Sequence, residues 1–463
     1  VTAASPFPET APPTLTLAAI ETRMERLPLL RWHWLMLGIV GIAQAIELID
    51  SLAVSFSLPV LIKLWGLTPA HAGILVSTMY AGQMIGGGSF GWLSDRVGRL
   101  RLLRWSTAAL VLLGLVAASA QSYNAFLVAR FFQGIAFGGE LLLATAYVAE
   151  LSATAYRGRL IFGLNVAAGI GGILAAAIAA YVVPHFGWRW VFVAAAIGSI
   201  PFFIAARVLP ESPRWLAYRG RAAEADAIVS GLELRAVASN RAATSPAADL
   251  IATDGDESVG RWRDLFDAEF RSRTLLLWAM AMSVGLVGIT MISWLPRFFQ
   301  LAYSVSLQNT LVMSAIPFTA PLLGALLGAA IVDRIRRDHS LLLGFTALSV
   351  SLLAMRALFG TTPIPVAVGL AFLTVLSQVF LLYSLFLVMV EYYPTRLRGI
   401  GAGAARFWLG VSAVMGPVGA GFISGRWGVP GTLGTMFVIA LVGTAATILL
   451  VITTTRRIRN TPT

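Results

Sequence analysis

The chain has 463 residues, of which 57% are hydrophobic and only 12% charged, with a mean hydropathy of +0.79. Such a composition excludes an ordinary soluble domain and points to many membrane spans. The absence of cysteine excludes disulfides and thiolate metal sites, and the formal charge of +12 is scattered between apolar runs instead of forming a nucleic-acid patch.

Residues 1–31 lack the apolar core and cleavage site of a signal peptide and carry Glu21, Arg23, Glu25, Arg26 and Arg31, so they read as a cytoplasmic tail. Twelve apolar runs of membrane length follow. They lie near 34–61, 70–92, 103–120, 123–149, 159–183, 188–207, 274–301, 307–332, 340–358, 363–390, 400–424 and 431–453. Arginines between the runs alternate with sparsely charged loops, and the positive-inside rule then places both termini in the cytoplasm. Residues 209–272 change character. Arg221 to Arg235 suits a short surface helix, and Ala236 to Val259, rich in Ala, Ser, Thr and Asp, suits a linker. The chain therefore divides into a tail (1–31), a first six-span bundle (32–208), a cytoplasmic linker with short helices (209–272), a second bundle (273–453) and a C-terminal tail (454–463).

The bundles echo each other. Asp95-Arg96-Val97-Gly98-Arg99 follows the second span and Asp333-Arg334-Ile335-Arg336-Arg337 the eighth; Glu150 precedes Arg157-Gly158 as Glu391 precedes Arg398-Gly399. Internal repetition of this kind is expected where a site forms between two bundles that rock against each other.

Charges at membrane depth are costly, about 2.5–3.5 kcal/mol each on the most lenient insertion scale, so they mark function. Glu47 and Asp50 lie three residues apart in the first span and point from one side of that helix. The others are Arg130 and Glu140 in the fourth span and Arg406 in the eleventh. Glu140 follows Gly138-Gly139, and it suits a proton carrier, a substrate contact or a structural hydrogen bond equally; Glu47 suits either cavity contact or a structural bond. Counted from the Arg-Gly pairs, Arg406 is the internal counterpart of Asn165, which puts both near the cavity between bundles. An always-charged guanidinium there offers a planar fork to a carboxylate, or else pairs with Glu140 or Glu47.

Gly91-Trp-Leu-Ser-Asp95-Arg96-Val-Gly98-Arg99 resembles the loop signature of the major facilitator superfamily, and Pro210-Glu211-Ser212-Pro213-Arg214-Trp215-Leu216 resembles its sugar-porter-like branch. The resemblance covers nearly the whole chain. It implies an all-α membrane protein of twelve helices in two pseudo-symmetric six-helix bundles, alternating between outward-open and inward-open forms. It further implies that Asp50 and Arg130 correspond to the coupling pair of proton-coupled sugar porters, where water access and partner position decide protonation; a permanent ion pair is the simpler alternative. By the same resemblance Asp95, Arg96, Arg99, Glu150, Arg157, Glu211, Arg214, Asp333, Arg334, Arg337, Glu391 and Arg398 gate the cytoplasmic side, with Asp95 facing a helix N-terminus and the arginines meeting Glu150 or Glu211.

The chain departs from sugar porters in lacking the paired glutamines of the seventh span. Gly172 and Phe386 also stand at the aligned fifth-span glutamine and tenth-span tryptophan positions, which argues against a hexose. The organic-anion branch has an arginine after its Glu-x-x-Pro-Thr-x-x-Arg element, here Glu391 to Arg398, as Arg406 stands here. The expectation is a proton-coupled symporter, with no cofactor beyond the proton, importing a small aromatic or heterocyclic carboxylate. Arg406 would hold the carboxylate, with Glu140, Asn165, Tyr383, Phe386, Trp294, Phe407 or Trp408 around it. Transport of a neutral or cationic metabolite, efflux antiport, and a membrane sensor are the alternatives; an enzyme is disfavoured, since His33, His71, His185 and His339 are far apart and no nucleophile or phosphate-binding motif occurs. A monomer in the lipid bilayer of a plasma membrane, in a bacterium the inner one, is expected, with a small-molecule substrate and no nucleic acid.

Overall fold

The structure is a computed structural model and describes residues 16–239, 261–331 and 334–460, all helices and connections. A short helix α1 (Leu17–Arg26) precedes the first span α2 (Arg31–Trp65), which stops at Gly66 because its positive φ of 58° lets the chain turn. The second span α3 (Pro69–Val97) starts with proline in its first turn and Thr68 accepting from the His71 N–H. Then come α4 (Arg99–Ser119), α5 (Tyr123–Glu150) and α6 (Thr154–Phe186). The sixth crossing is α7 (Arg189–Gly198) continued by α8 (Ile200–Ala205). Helices α9 (Pro213–Tyr218) and α10 (Ala222–Ala238) follow, so the surface helix expected after Arg221 is present. From residue 240 the expected linker lies outside the described residues.

The second half begins with α11 (Arg271–Tyr303). Its eighth crossing is broken, α12 (Leu307–Ala315) passing through a 3₁₀ turn at Pro317–Thr319 into α13 (Ala320–Ile331), because Pro317 has no N–H for a continuous ladder. Helices α14 (Arg337–Leu358), α15 (Ile364–Glu391) and α16 (Thr395–Asn460) complete it, and α16 is two crossings joined at Gly428, whose φ of 64° is not helical. Among the described residues nine helical stretches are long and apolar enough on their own to cross a membrane. The twelve expected crossings are reached because α3 is a more polar span, the eighth is divided at Pro317, and α16 counts twice.

Close packing within the first half rests on small residues: Gly82 and Gly86 of α3 lie against the backbone of α5, and Gly134 and Gly138 of α5 lie against α3. The halves meet along α3 with α16, α6 with α12 and α13, and α2 with α11. Ser77 Oγ donates to the Val414 carbonyl at 2.6 Å, Gly73 abuts the Pro417 carbonyl, and Phe56 meets Phe318 at 4.9 Å between centroids. These contacts run from mid-span to the end of the molecule opposite the termini. At the end that carries the termini, Arg99 pairs with Glu150 at 2.8 Å and Arg337 with Glu391 at 3.0 Å, each within one half and at repeat-equivalent positions.

The expected N-terminal tail contains structure. Ile20, Met24 and Leu27 are fully buried in a cluster with Val229, Leu232 and Trp215. Arg23 binds Asp226, Ser230 and Glu233 of α10. The buried Glu25 carboxylate accepts from Arg157 (2.9 Å), Arg214 (2.7 Å) and the Thr154 N–H (2.6 Å), clamping α1 to α6 and α9. Burial pushes its pKa up, but the hydrogen bonds from Thr154 and Arg214 outweigh that and hold it below the ordinary 4.5. Its stabilisation is therefore present above pH 4.5 and is lost as pH falls through the lower native value. Glu25→Gln should lower the thermal-unfolding midpoint of purified protein at pH 7, by an amount corresponding to roughly 1.5–3 kcal/mol, and the difference from wild type should shrink on acidification below pH 4.5.

Candidate functional site

Five helices of the first half converge on a buried polar centre. Asp50 comes from α2 and Arg130 from α5, and their side chains are 7% and 1% exposed with Arg130 Nη1 donating to Asp50 Oδ2 at 2.9 Å. The same Nη1 donates to Gln133 Oε1 at 2.6 Å, while Nη2 lies 2.6 Å from Met79 Sδ of α3. The guanidinium also faces the Phe192 ring of α7 at 5.5 Å. Gln133 is locked in turn, its Nε2 donating to the Leu110 carbonyl at 3.0 Å, which aims its oxygen at the guanidinium.

Gly114 of α4 makes room for this arrangement. A Cβ there would stand 3.0 Å from Gln133 Nε2 and 3.2 Å from Asp50 Oδ1. Gly114→Val should therefore displace the pair, lowering stability by roughly 1–3 kcal/mol as overpacked cores do; a thermal melt unchanged from wild type would show the pocket to be loose.

Glu47 and Glu140 are buried beside the pair. Glu47 accepts from Gln44 Nε2, and Glu140 Oε1 accepts from Thr107 Oγ1 at 3.1 Å while its Oε2 has no partner. With Asp50 they line a cavity of about 10 Å³ within the first half, at the limit of what one water needs. The sequence expectation that Glu47 and Asp50 share a helix side agrees with this lining. Arg130 serves Asp50 and Gln133, and no arginine reaches Glu47 or Glu140 in the ion pairs of the described residues.

Arg406 lies elsewhere. It is exposed, its guanidinium stacked over Phe386 of α15 at 5.1 Å, and neither Glu140 nor Glu47 meets it. One turn further along α16, Gly410 packs on Met84 of α3, so Arg406 shares a helix face with a contact between the halves. Asn165 repeats the pattern in the first half: it is half-buried, its Nδ2 donates to the Ile161 carbonyl at 3.2 Å, and Gly169 one turn on packs against Leu322 of α13. Both residues thus border the space between halves.

The expected aromatic walls are split. Tyr383 and Phe386 are half-buried and Phe407 is 56% exposed. Trp408 meets Trp278 at 5.6 Å between centroids with the rings tilted by 43°, and Trp294 is buried, 6.1 Å from Phe298, with its indole N–H unpartnered.

The residues expected to gate are engaged locally. Asp95, 62% exposed, meets Arg99 at 2.8 Å, and Arg96 lies over the Trp92 ring at 3.7 Å. Glu211, instead of Asp95, occupies a helix start, accepting from the Leu100 and Arg101 N–H groups of α4 at 2.9 and 3.2 Å. Arg157 and Arg214 go to Glu25 instead of Glu150 or Glu211. Arg334 and Arg398 are exposed, and Asp333 lies outside the described residues. Sequence reading passed over Gln133, Gly114, Thr107 and Glu25. Of these only Gln133 carried a signal, standing three residues from Arg130 on the same helix face.

The family model for the Major Facilitator Superfamily matches residues 40–417. The niacin transporter NiaP of Acinetobacter baylyi is 29% identical over 408 residues, covering 86% of this chain and 88% of that one. The putative metabolite transport protein YyaJ of Bacillus subtilis is 29% identical over 413 residues, covering 88% and 89%. Among solved structures, the D-xylose–proton symporter aligns with a TM-score of 0.71 at 17% identity over 90% of this chain and 96% of that one. The inward-open xylose transporter XylE of E. coli aligns at 0.70 with 18% identity over 90% and 95%. At those identities the structural likeness concerns the fold.

Proposed function

The chain belongs to the Major Facilitator Superfamily, and from that premise we propose that it couples proton entry to uptake of a small aromatic or heterocyclic carboxylate by alternating access. It is an integral membrane transporter and not an enzyme, as its family and relatives are. The observation that carries the substrate class is the exposed Arg406 guanidinium at membrane depth, backed by the Phe386 ring. A planar cation beside an aromatic face suits a ring that bears a carboxylate. The relative named a niacin transporter supports this reading, since niacin is a pyridine carboxylate.

Coupling rests on Asp50 and Arg130. A proton arriving on Asp50 removes the ion pair that joins α2 to α5 and leaves Arg130 held by Gln133, so protonation changes how two spans of one bundle are tied. Losing such a buried pair is worth several kcal/mol, comparable with the energies that shift a two-state equilibrium. The arginine-rich loops on one side favour an orientation with both termini on the cytoplasmic side of a bacterial inner membrane. On that orientation the contacts from Ser77 to Val414 close the outer side, and the Arg99–Glu150 and Arg337–Glu391 pairs stand ready to meet partners across the halves when the inner side closes.

The experiment is uptake into proteoliposomes under an imposed proton gradient, using nicotinate, benzoate and their amides. Gradient-driven accumulation of the acids but not the amides supports the reading; amides carried as well as acids would remove the anion assignment.

A further inference from the structure

Apart from the site between the halves, the first half carries an open recess of about 760 Å³ where α2 leaves the membrane. It is lined by Leu30, Arg31, Trp32 and Leu35 on the α2 side and by Arg235 with the end of α10 on the other. Among the described residues no acidic side chain lines it. The acids of α10 are engaged elsewhere: Glu224 with Arg221, and Asp226 and Glu233 with Arg23. Arg31 and Arg235 are both exposed, and Arg31 stands in the first turn of a 35-residue helix, the end that favours an anion. Trp34 and Leu35, 52% and 53% exposed, continue from the recess along the start of the span, where acyl chains run.

We infer that this recess binds the headgroup phosphate of an anionic phospholipid of the cytoplasmic leaflet, Arg31 and Arg235 holding the phosphate and the Trp34–Leu35 surface the chains. Two guanidinium groups flanking a recess at the membrane edge attract a phosphodiester, and the apolar strip beside them selects a lipid over a soluble phosphate. Occupancy joins α10, and through it the α1 and α9 clamp, to the first span.

Full-length protein in neutral detergent is titrated with dioctanoyl phosphatidylglycerol, dioctanoyl phosphatidylcholine and inorganic phosphate, and its thermal midpoint followed. Phosphatidylglycerol should raise the midpoint saturably, and the other two should not. Arg31→Gln with Arg235→Gln should weaken the apparent affinity about thirty-fold, from about 1 kcal/mol per basic residue near an anionic surface. Arg31→Lys with Arg235→Lys should retain most of it, as should Arg219→Gln outside the recess. The Gln pair matching wild type, or phosphatidylcholine matching phosphatidylglycerol, would overturn the site, and an equal shift with inorganic phosphate would overturn the lipid as its occupant.

Discussion

Asp50→Asn should abolish accumulation of substrate against its gradient while leaving measurable exchange of labelled for unlabelled substrate across the membrane. Asparagine keeps the volume of the protonated acid and an oxygen that Arg130 can donate to, but it cannot take or release a proton. The variant is therefore a fixed copy of one protonation state. With the proton unable to leave, the steepest expected effect is on net uphill uptake, which should fall to equilibration. Arg130 remains buried with Gln133 and Met79 as partners, and loss of the charged partner of a buried pair costs about 3–5 kcal/mol at most. A thermal melt accompanies the assay so that unfolding is not mistaken for uncoupling. Wild-type accumulation by a well-folded Asp50→Asn would make the pair structural.

Arg406→Ala carries the second large effect. If the guanidinium holds a carboxylate through a charge-assisted contact worth about 1.5–3 kcal/mol in all, its removal should weaken nicotinate-type acids by roughly 10- to 150-fold. The corresponding amide should change little, since apolar contact with Phe386 survives. Arg406→Lys keeps the charge but loses the planar fork and much of the stacking, so its affinity should fall between the two. Equal losses for acid and amide would mean that Arg406 shapes the cavity instead of reading the charge.

Much of this architecture can be read from the chain because the membrane imposes severe rules. Apolar runs announce spans, and the repeated Asp-Arg and Glu/Arg-Gly patterns announce two halves; the equivalent pairs Arg99–Glu150 and Arg337–Glu391 follow from them. Asp50 and Arg130 stand out because charge at that depth must find a partner, and they find each other. The matching positions of Asn165 and Arg406, each one turn from a glycine at the contact between halves, were likewise legible by counting from Arg-Gly.

What escaped depends on tertiary contact without a local pattern. Gly114 is one glycine among 44, and only the neighbouring Asp50 and Gln133 give it meaning. Glu25 looks like a tail charge until α1 folds onto α9 and α10 and brings it to Arg157 and Arg214. Glu211 rather than Asp95 sits at the start of α4 because the Pro210–Leu216 element packs back on that loop, a placement that spacing along the chain does not contain. Trp294 is the same residue type as a cavity-wall aromatic yet is buried, since a mostly apolar helix offers little polar pattern from which to read the direction of one tryptophan.

Proton movement measured during downhill substrate entry decides the matter most directly. Proteoliposomes with no imposed gradient are given nicotinate or another carboxylate the protein is found to carry, and external pH is followed in weak buffer. A coupled importer alkalinises the outside in step with uptake, and Asp50→Asn does not; substrate entry by wild-type protein with no pH change beyond that of protein-free vesicles would contradict the coupling of Asp50 to transport.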